Sequence, residues 1–166
     1  MVLGLLGVHG PSTPYDLKAL ISLSVGNFWS FPHSQVYAEA ARLAQAGLAD
    51  EERETEGRRR RSYTITPTGL AALRSWLETP SDGDAEIRDL GLLKLFFGSM
   101  TTPGVVSAHA REVAERHRSQ LAAYDELVDS IEDDATSFEK ATLEFGRRWE
   151  RMVSDFWTEI ADNPPR

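Results

Sequence analysis

Four consecutive arginines, Arg58 to Arg61, followed by Ser62 and Tyr63, form the densest charge in the sequence. Like charges in a row repel one another, and a nucleic-acid backbone supplies the anions that would compensate them. Earlier in the chain His33, Ser34, Gln35 and Tyr37 crowd into one short stretch, with Arg42 just beyond. An amide such as Gln35 pairs bidentately with an adenine edge, and a hydroxyl such as that of Ser34 reaches base edges or phosphate. Tyr37 is suited to phosphate through its phenol, or to covering the core as a rim aromatic. Base-edge groups in one segment and phosphate ligands in the next are the chemistry of duplex DNA. The candidate DNA-binding residues are therefore His33, Ser34, Gln35, Tyr37, Arg42, Arg58, Arg59, Arg60, Arg61 and Tyr63.

Those residues need elements to position them. From about His33 to Ala46 the apolar Val36, Ala40, Leu43 and Ala44 recur at helical spacing, and Gly47 stops the pattern. Leu48 to Glu54 and Ser62 to Thr66 read as a hairpin joined through Glu56, Gly57 and the arginines, with a further helix from Thr68 to Glu78 carrying Leu70, Leu73 and Leu77. A helix with small, polar outward residues beside a basic hairpin is a winged helix-turn-helix: the helix enters the major groove and the wing straddles the phosphates. Upstream, Val2 to Val8 reads as a short apolar helix stopped at Gly10-Pro11. Thr13 caps a second helix with Pro14 in its first turn, Asp16 adding favourable charge and Tyr15, Leu17, Leu20, Ile21 and Val25 inward until Gly26.

A net charge of −8 argues against nucleic acid until its distribution is read. Residues 1–80 balance eight basic against eight acidic side chains, and residues 81–166 hold ten against eighteen. DNA feels the local patch, so the acidic half faces away from it. The absence of cysteine excludes disulfides, thiol catalysis and cysteine-ligated zinc. His109 and His117 lack the four-residue spacing of a helical metal pair, and no serine–histidine–acid or paired-carboxylate arrangement stands out. We therefore expect no catalytic residues, no metal, no cofactor and no enzyme. The short apolar start is not a signal peptide and no run is long enough to span a membrane, which leads us to expect a cytoplasmic protein.

In the second half, Ala85 to Phe97 reads as a helix bearing Ile87, Leu90, Leu93, Leu95, Phe96 and Phe97. Pro103 opens one of nearly thirty residues, with Val106, Val113, Leu121, Tyr124, Leu127, Val128 and Ile131 at three- and four-residue steps. Thr136 and Glu139 have the spacing of a capping box, and the last helix then presents Phe138, Ala141, Phe145, Trp149, Met152, Val153, Phe156 and Ile160. Stripes this wide exceed what two helices cover on each other, and a partner chain, giving a homodimer, is the usual solution. The first helix, apolar nearly all round, should dock on that same surface, from its own chain or the partner. The fold class expected is mainly α with a small β-hairpin wing: a winged helix-turn-helix DNA-binding domain over residues 1–80 and an α-helical dimerisation domain over residues 81–166.

With these segments in view, the chain resembles the PadR family of bacterial winged-helix transcriptional regulators. The likeness runs through Leu3-Gly-Leu-Leu, Gly10-Pro-Ser-Thr-Pro-Tyr15-Asp16-Leu17, Phe28-Trp29 and Ser34-Gln35-Val36-Tyr37. It continues in Arg42-Leu43, Gly47-Leu48, Arg61-Ser-Tyr63-Thr-Ile65-Thr66, Gly69 and Trp76-Leu77, and further on in Leu93-Lys-Leu-Phe96-Phe97 and the tryptophan-bearing last helix. Pro14 stands where members commonly have glycine, Ala38 where many have proline and Ala40 where leucine is commoner. The resemblance implies a repressor that binds a pseudo-palindromic operator as a homodimer. It also implies a second, effector-sensing role for residues 81–166: a small aromatic ligand against an effector pocket or dimer interface including Phe145, Trp149, Met152, Phe156 and Trp157. Two other readings remain open at this point. A MarR-type regulator also has a basic wing, but places two more long helices before its recognition helix. A winged-helix protein–protein module without DNA binding would leave the four arginines unexplained.

Overall fold

The computed structural model describes residues 1–29, 31–53, 60–81, 83, 86–131 and 136–165. The chain divides into two compact units, Met1–Gly83 and Asp84–Arg166.

The first unit runs α1 (Val2–His9), α2 (Pro14–Leu23), a 3-10 turn (Val25–Asn27), α3 (His33–Gln45), β1 (Ala49–Arg53), β2 (Arg61–Ile65) and α4 (Pro67–Glu78). The start of α2 is fixed by a reciprocal capping box: Thr13 accepts from the Asp16 N–H, and the Asp16 carboxylate accepts from the Thr13 N–H. Those bonds hold the Asp16 carboxyl below its ordinary pKa, and Arg60 lowers it further through space. The buried side of α2 is Pro14, Leu17 and Ile21, at three- and four-residue steps. This corrects the expected inward Tyr15, which sits a helical step round from that stripe and is 74% exposed. The helix also ends at Leu23, three residues short of Gly26.

At the end of α3, Gly47 adopts φ +69°, a left-handed conformation natural only to glycine. Its N–H donates to Ala44 and the next N–H, of Leu48, to Leu43, the Schellman pattern that turns a helix end into an exiting strand. The strand it launches, β1, pairs antiparallel with β2, Ala49 opposite Ile65 through to Arg53 opposite Arg61. Ser12 bridges to the other edge of β2 through two backbone bonds with Tyr63, of 3.0 and 2.9 Å. The core gathers Val2, Leu5, Leu6, Leu17, Ile21, Val36, Ala40, Leu43, Ala49 and Tyr63. Helix α1 buries Val2, Leu5 and Leu6 in this core. On α4, Leu70 and Leu73 are half-buried but Leu77 is exposed.

The second unit runs α5 (Leu90–Phe96), a 3-10 turn (Gly98–Met100), α6 (Pro103–Ile131) and α7 (Ser137–Asp162). Helix α5 is shorter than the Ala85–Phe97 expectation because Asp89 caps it. The Asp89 carboxylate accepts from the N–H groups of Gly91 (2.6 Å) and Leu92 (3.1 Å), and residues 86–89 are irregular. Ala85 lies outside the described residues, as does the side chain of Ile131. The expected Thr136–Glu139 capping box is present.

Helices α6 and α7 are antiparallel partners. Ser107 donates to the Ala161 carbonyl, His117 Nδ1 lies 2.5 Å from Glu150, and Arg147 bonds Asp125 at 2.7 Å. Their core is Ala110, Val113, Ala114, Val153, Trp157 and Ala161, with Leu95, Trp149 and Ile160 packed on it. Phe138, Phe145, Met152 and Phe156 lie outside that core, 83, 65, 53 and 38% exposed.

Candidate nucleic-acid interface

Helix α3 has a sharp inside and outside. Val36, Ala40 and Leu43 are buried, whereas Ser34, Gln35, Tyr37, Ala38, Arg42 and Gln45 are exposed. At 3.6 residues per turn Ser34, Ala38 and Gln45 fall opposite the buried stripe, Gln35 and Arg42 share one flank, and Tyr37 takes the other. The small Ala38 and Ala41 leave room in the middle of this face for a close approach. The first turn has no side-chain cap. His33 opens the helix, and its side chain lies outside the described residues.

Arg42 is not a loose cation. Its Nε and Nη2 make a bidentate pair with Glu39, 2.8 and 2.7 Å, one turn back on α3. That pairing lowers the Glu39 pKa and raises that of Arg42.

In the wing, Arg58 and Arg59 lie outside the described residues, and Arg60 and Arg61 are exposed. Tyr63 differs from the other candidates. It is 2% exposed, its ring is part of the core, and its hydroxyl donates to Glu51 at 3.1 Å. Burial first, and then the Glu51 carboxylate, push the Tyr63 phenol pKa up. Tyr63 therefore anchors the wing; an outward reach to DNA is closed to it.

The register shows two residues that composition and spacing missed. Arg53 stands directly opposite Arg61, and Glu51 directly opposite Tyr63, on the same face of the hairpin. Glu51 Oε1 accepts from Arg53 Nε at 2.6 Å and lies 3.7 Å from Arg61 Nε. The hydrogen bond from Arg53 is the leading cause that lowers the Glu51 pKa. A depressed carboxylate pKa means that the pairing is complete at neutral pH and is lost only as pH falls through that lowered value. The signal available in sequence was the Glu51–Arg53 alternation, but the opposing arginine follows only from the register.

Of the five aromatic and sulfur-bearing residues expected at an effector pocket or dimer interface, the structure separates two groups. Trp157 is 1% exposed and Trp149 packs on the same core, while Phe145, Met152 and Phe156 are open. Trp157 meets Phe156 and His109 edge-on, with ring centroids 5.4 and 5.8 Å apart. The Nε2 of His109 is buried with no hydrogen-bond partner among the described residues. Among the described residues no helix is long and apolar enough to cross a membrane.

Residues 2–75 match the family model described as the transcriptional regulator PadR-like family, and residues 87–163 match that described as virulence activator alpha C-term. The negative transcriptional regulator PadR of Bacillus subtilis (strain 168) is 27% identical over 137 residues, spanning 79% of this chain and 75% of the relative. The fold is similar to that of Bacillus subtilis PadR in complex with operator DNA, with a TM-score of 0.85 at 22% identity, covering 97% of this chain and 95% of that one. The same protein in complex with p-coumaric acid matches with a TM-score of 0.78 at 20% identity, covering 98% and 95%.

Proposed function

We propose that this chain, which belongs to the PadR-like family of transcriptional regulators, is a repressor that binds a pseudo-palindromic operator as a homodimer. Residues 1–80 are its DNA-binding domain and residues 81–166 its dimerisation and effector domain. The observation that carries this reading is the exposed polar face of α3 beside a wing rooted in exposed arginines. Gln35 and Arg42, on one flank of α3, read base edges, with His33 and Ser34 at the helix start, while Tyr37 and the wing arginines Arg58 to Arg61 hold phosphates. Two copies place two such helices in successive major grooves, roughly 34 Å apart.

The test is selection of preferred duplexes by the intact chain from a random library, followed by titration of the selected duplex and a scrambled one. Gln35→Ala should weaken the selected duplex by roughly 1–3 kcal/mol and leave the scrambled one nearly unchanged. Equal losses on both would move Gln35 to the phosphate backbone, and no enrichment from the library would sink the regulator reading.

A flat aromatic acid is the effector class we favour, by analogy with the p-coumaric acid complex of the relative. In support, His109 Nε2 beside Trp157, with no hydrogen-bond partner among the described residues, carries a desolvation cost of about 1–3 kcal/mol that a ligand hydroxyl or carboxylate would relieve. Titrating p-coumarate should quench the tryptophan fluorescence saturably, and His109→Leu should weaken that binding about tenfold or more. Unsaturable quenching of the unaltered chain at millimolar ligand would remove p-coumarate as the effector.

A further inference from the structure

We propose that Arg53 and Arg61 form a paired phosphate clamp at the root of the wing, aimed by Glu51, which acts as a positioning residue. This rests on the DNA-binding reading above and adds two residues to it.

Two arginines directly opposite each other on neighbouring strands repel, and such a rung costs stability unless something stands between them. Here that something is a single carboxylate oxygen, two residue pairs toward the base of the hairpin on the same face, 2.6 Å from Arg53 Nε and 3.7 Å from Arg61 Nε. The second oxygen of Glu51 accepts from the buried Tyr63 hydroxyl, so the carboxylate is pinned to the core and cannot follow the arginines if they move. The Arg53 bond uses Nε. The guanidinium's other four N–H donors belong to a side chain that is 65% exposed, and Arg61 is 52% exposed. The trio keeps one net positive charge, and each guanidinium is a planar fork of the kind that suits phosphate oxygens.

Strand alternation decides which way the clamp looks. Asp50 and Glu52 fall on the opposite face of β1, while Glu51 and Arg53 share the face of Ala49 and Tyr63, which is buried against the helices. The paired strands thus carry Asp50 and Glu52 on the face turned from the helices and Arg53 and Arg61 on the face toward them. A surface ion pair left to itself is worth little, so its value here lies in orientation and not in stability. Glu51 also repels phosphates that approach out of register, which makes it a brake on indiscriminate binding.

The experiment measures affinity of the full chain against salt, on the library-selected duplex and on a scrambled duplex of equal length. For Arg53→Ala the slope of log affinity against log salt should fall by about 0.9 on both duplexes, the loss of one phosphate contact. For Glu51→Gln, an isosteric change that keeps an acceptor for Tyr63, scrambled-duplex affinity should rise about three- to fivefold with no matching rise on the selected one. That change in discrimination should vanish when Arg53→Ala and Arg61→Ala are also present. Salt-dependent binding by the unaltered chain with no slope change in Arg53→Ala overturns the clamp and leaves the regulator reading standing. An unchanged ratio in Glu51→Gln overturns its positioning role. Absence of salt-dependent binding by the unaltered chain overturns both the function and the clamp.

Discussion

Changing Phe145, Met152 and Phe156 together to glutamate should convert the protein to a monomer and lower operator affinity by roughly two to four orders of magnitude, the effective-concentration gain that linkage of two half-sites provides. These side chains are 65, 53 and 38% exposed, and none belongs to the α6–α7 core. Phe138, Phe145 and Met152 are spaced by seven, and Trp149 and Phe156 follow by four, the pattern of a helix seam that expects another helix. A second aromatic strip lies on α5 and the turn after it, where Phe96, Phe97 and Met100 are 80, 56 and 86% exposed. Open apolar side chains of this kind are what a partner subunit would cover. Because none of the three is a member of the α6–α7 core, and Phe156 meets Trp157 only edge-on at its rim, helical content should be retained. Sedimentation at micromolar concentration reads the result against a monomer of 18.5 kDa. A clean monomer for the unaltered chain, or an undiminished dimer for the triple variant, would remove the dimer and its two-half-site operator.

Sequence carried the features set by local spacing and missed those set by tertiary contact. Helix α3, the Thr13 cap of α2 and the Thr136–Glu139 capping box were legible because each rests on neighbours within a few residues, and the hairpin because turn residues separate its two strands. Tyr15 was misplaced because apolarity and spacing say that a residue is able to face a core, and only packing says whether core is there. The N-terminal limit of α5 was misjudged for a local reason: Asp89 is a stronger start signal than the apolar Ile87 before it. In the interface, the exposed residues of α3 follow from its helical period. The roles of Tyr63, Glu51 and Arg53 do not, because they depend on which strand residues stand opposite one another. Tyr63 looks like a phosphate ligand beside four arginines, yet its ring is drawn into the core and its hydroxyl is spent on Glu51.

Gly69 carries the last expected result. Its place in the family-like run after Thr66 was visible in sequence; its reason was not. A Cβ there would fall 2.0 Å from the Leu48 carbonyl oxygen and 2.9 Å from its carbon, a backbone contact that no side-chain rotation relieves. The closeness has a purpose. Leu48 accepts from the Thr66 N–H at 3.1 Å, and the Thr66 hydroxyl donates to Gly47 at 2.8 Å while accepting from the Gly69 N–H at 3.0 Å. One threonine thus ties the end of α3, the foot of both strands and the first turn of α4 into a single joint. Gly69→Ala should force that joint apart, costing at least the roughly 1–3 kcal/mol of an overpacked core site. Amide hydrogen exchange should accelerate over residues 48–53 and 61–78 while α6 and α7 keep their protection, and DNA affinity should collapse with sedimentation unchanged. This is the mirror image of the triple glutamate variant, in which assembly fails and each DNA-binding unit stays whole. Unchanged exchange in Gly69→Ala would show that the joint yields without strain, and unchanged affinity alongside it would detach the wing's position from DNA binding.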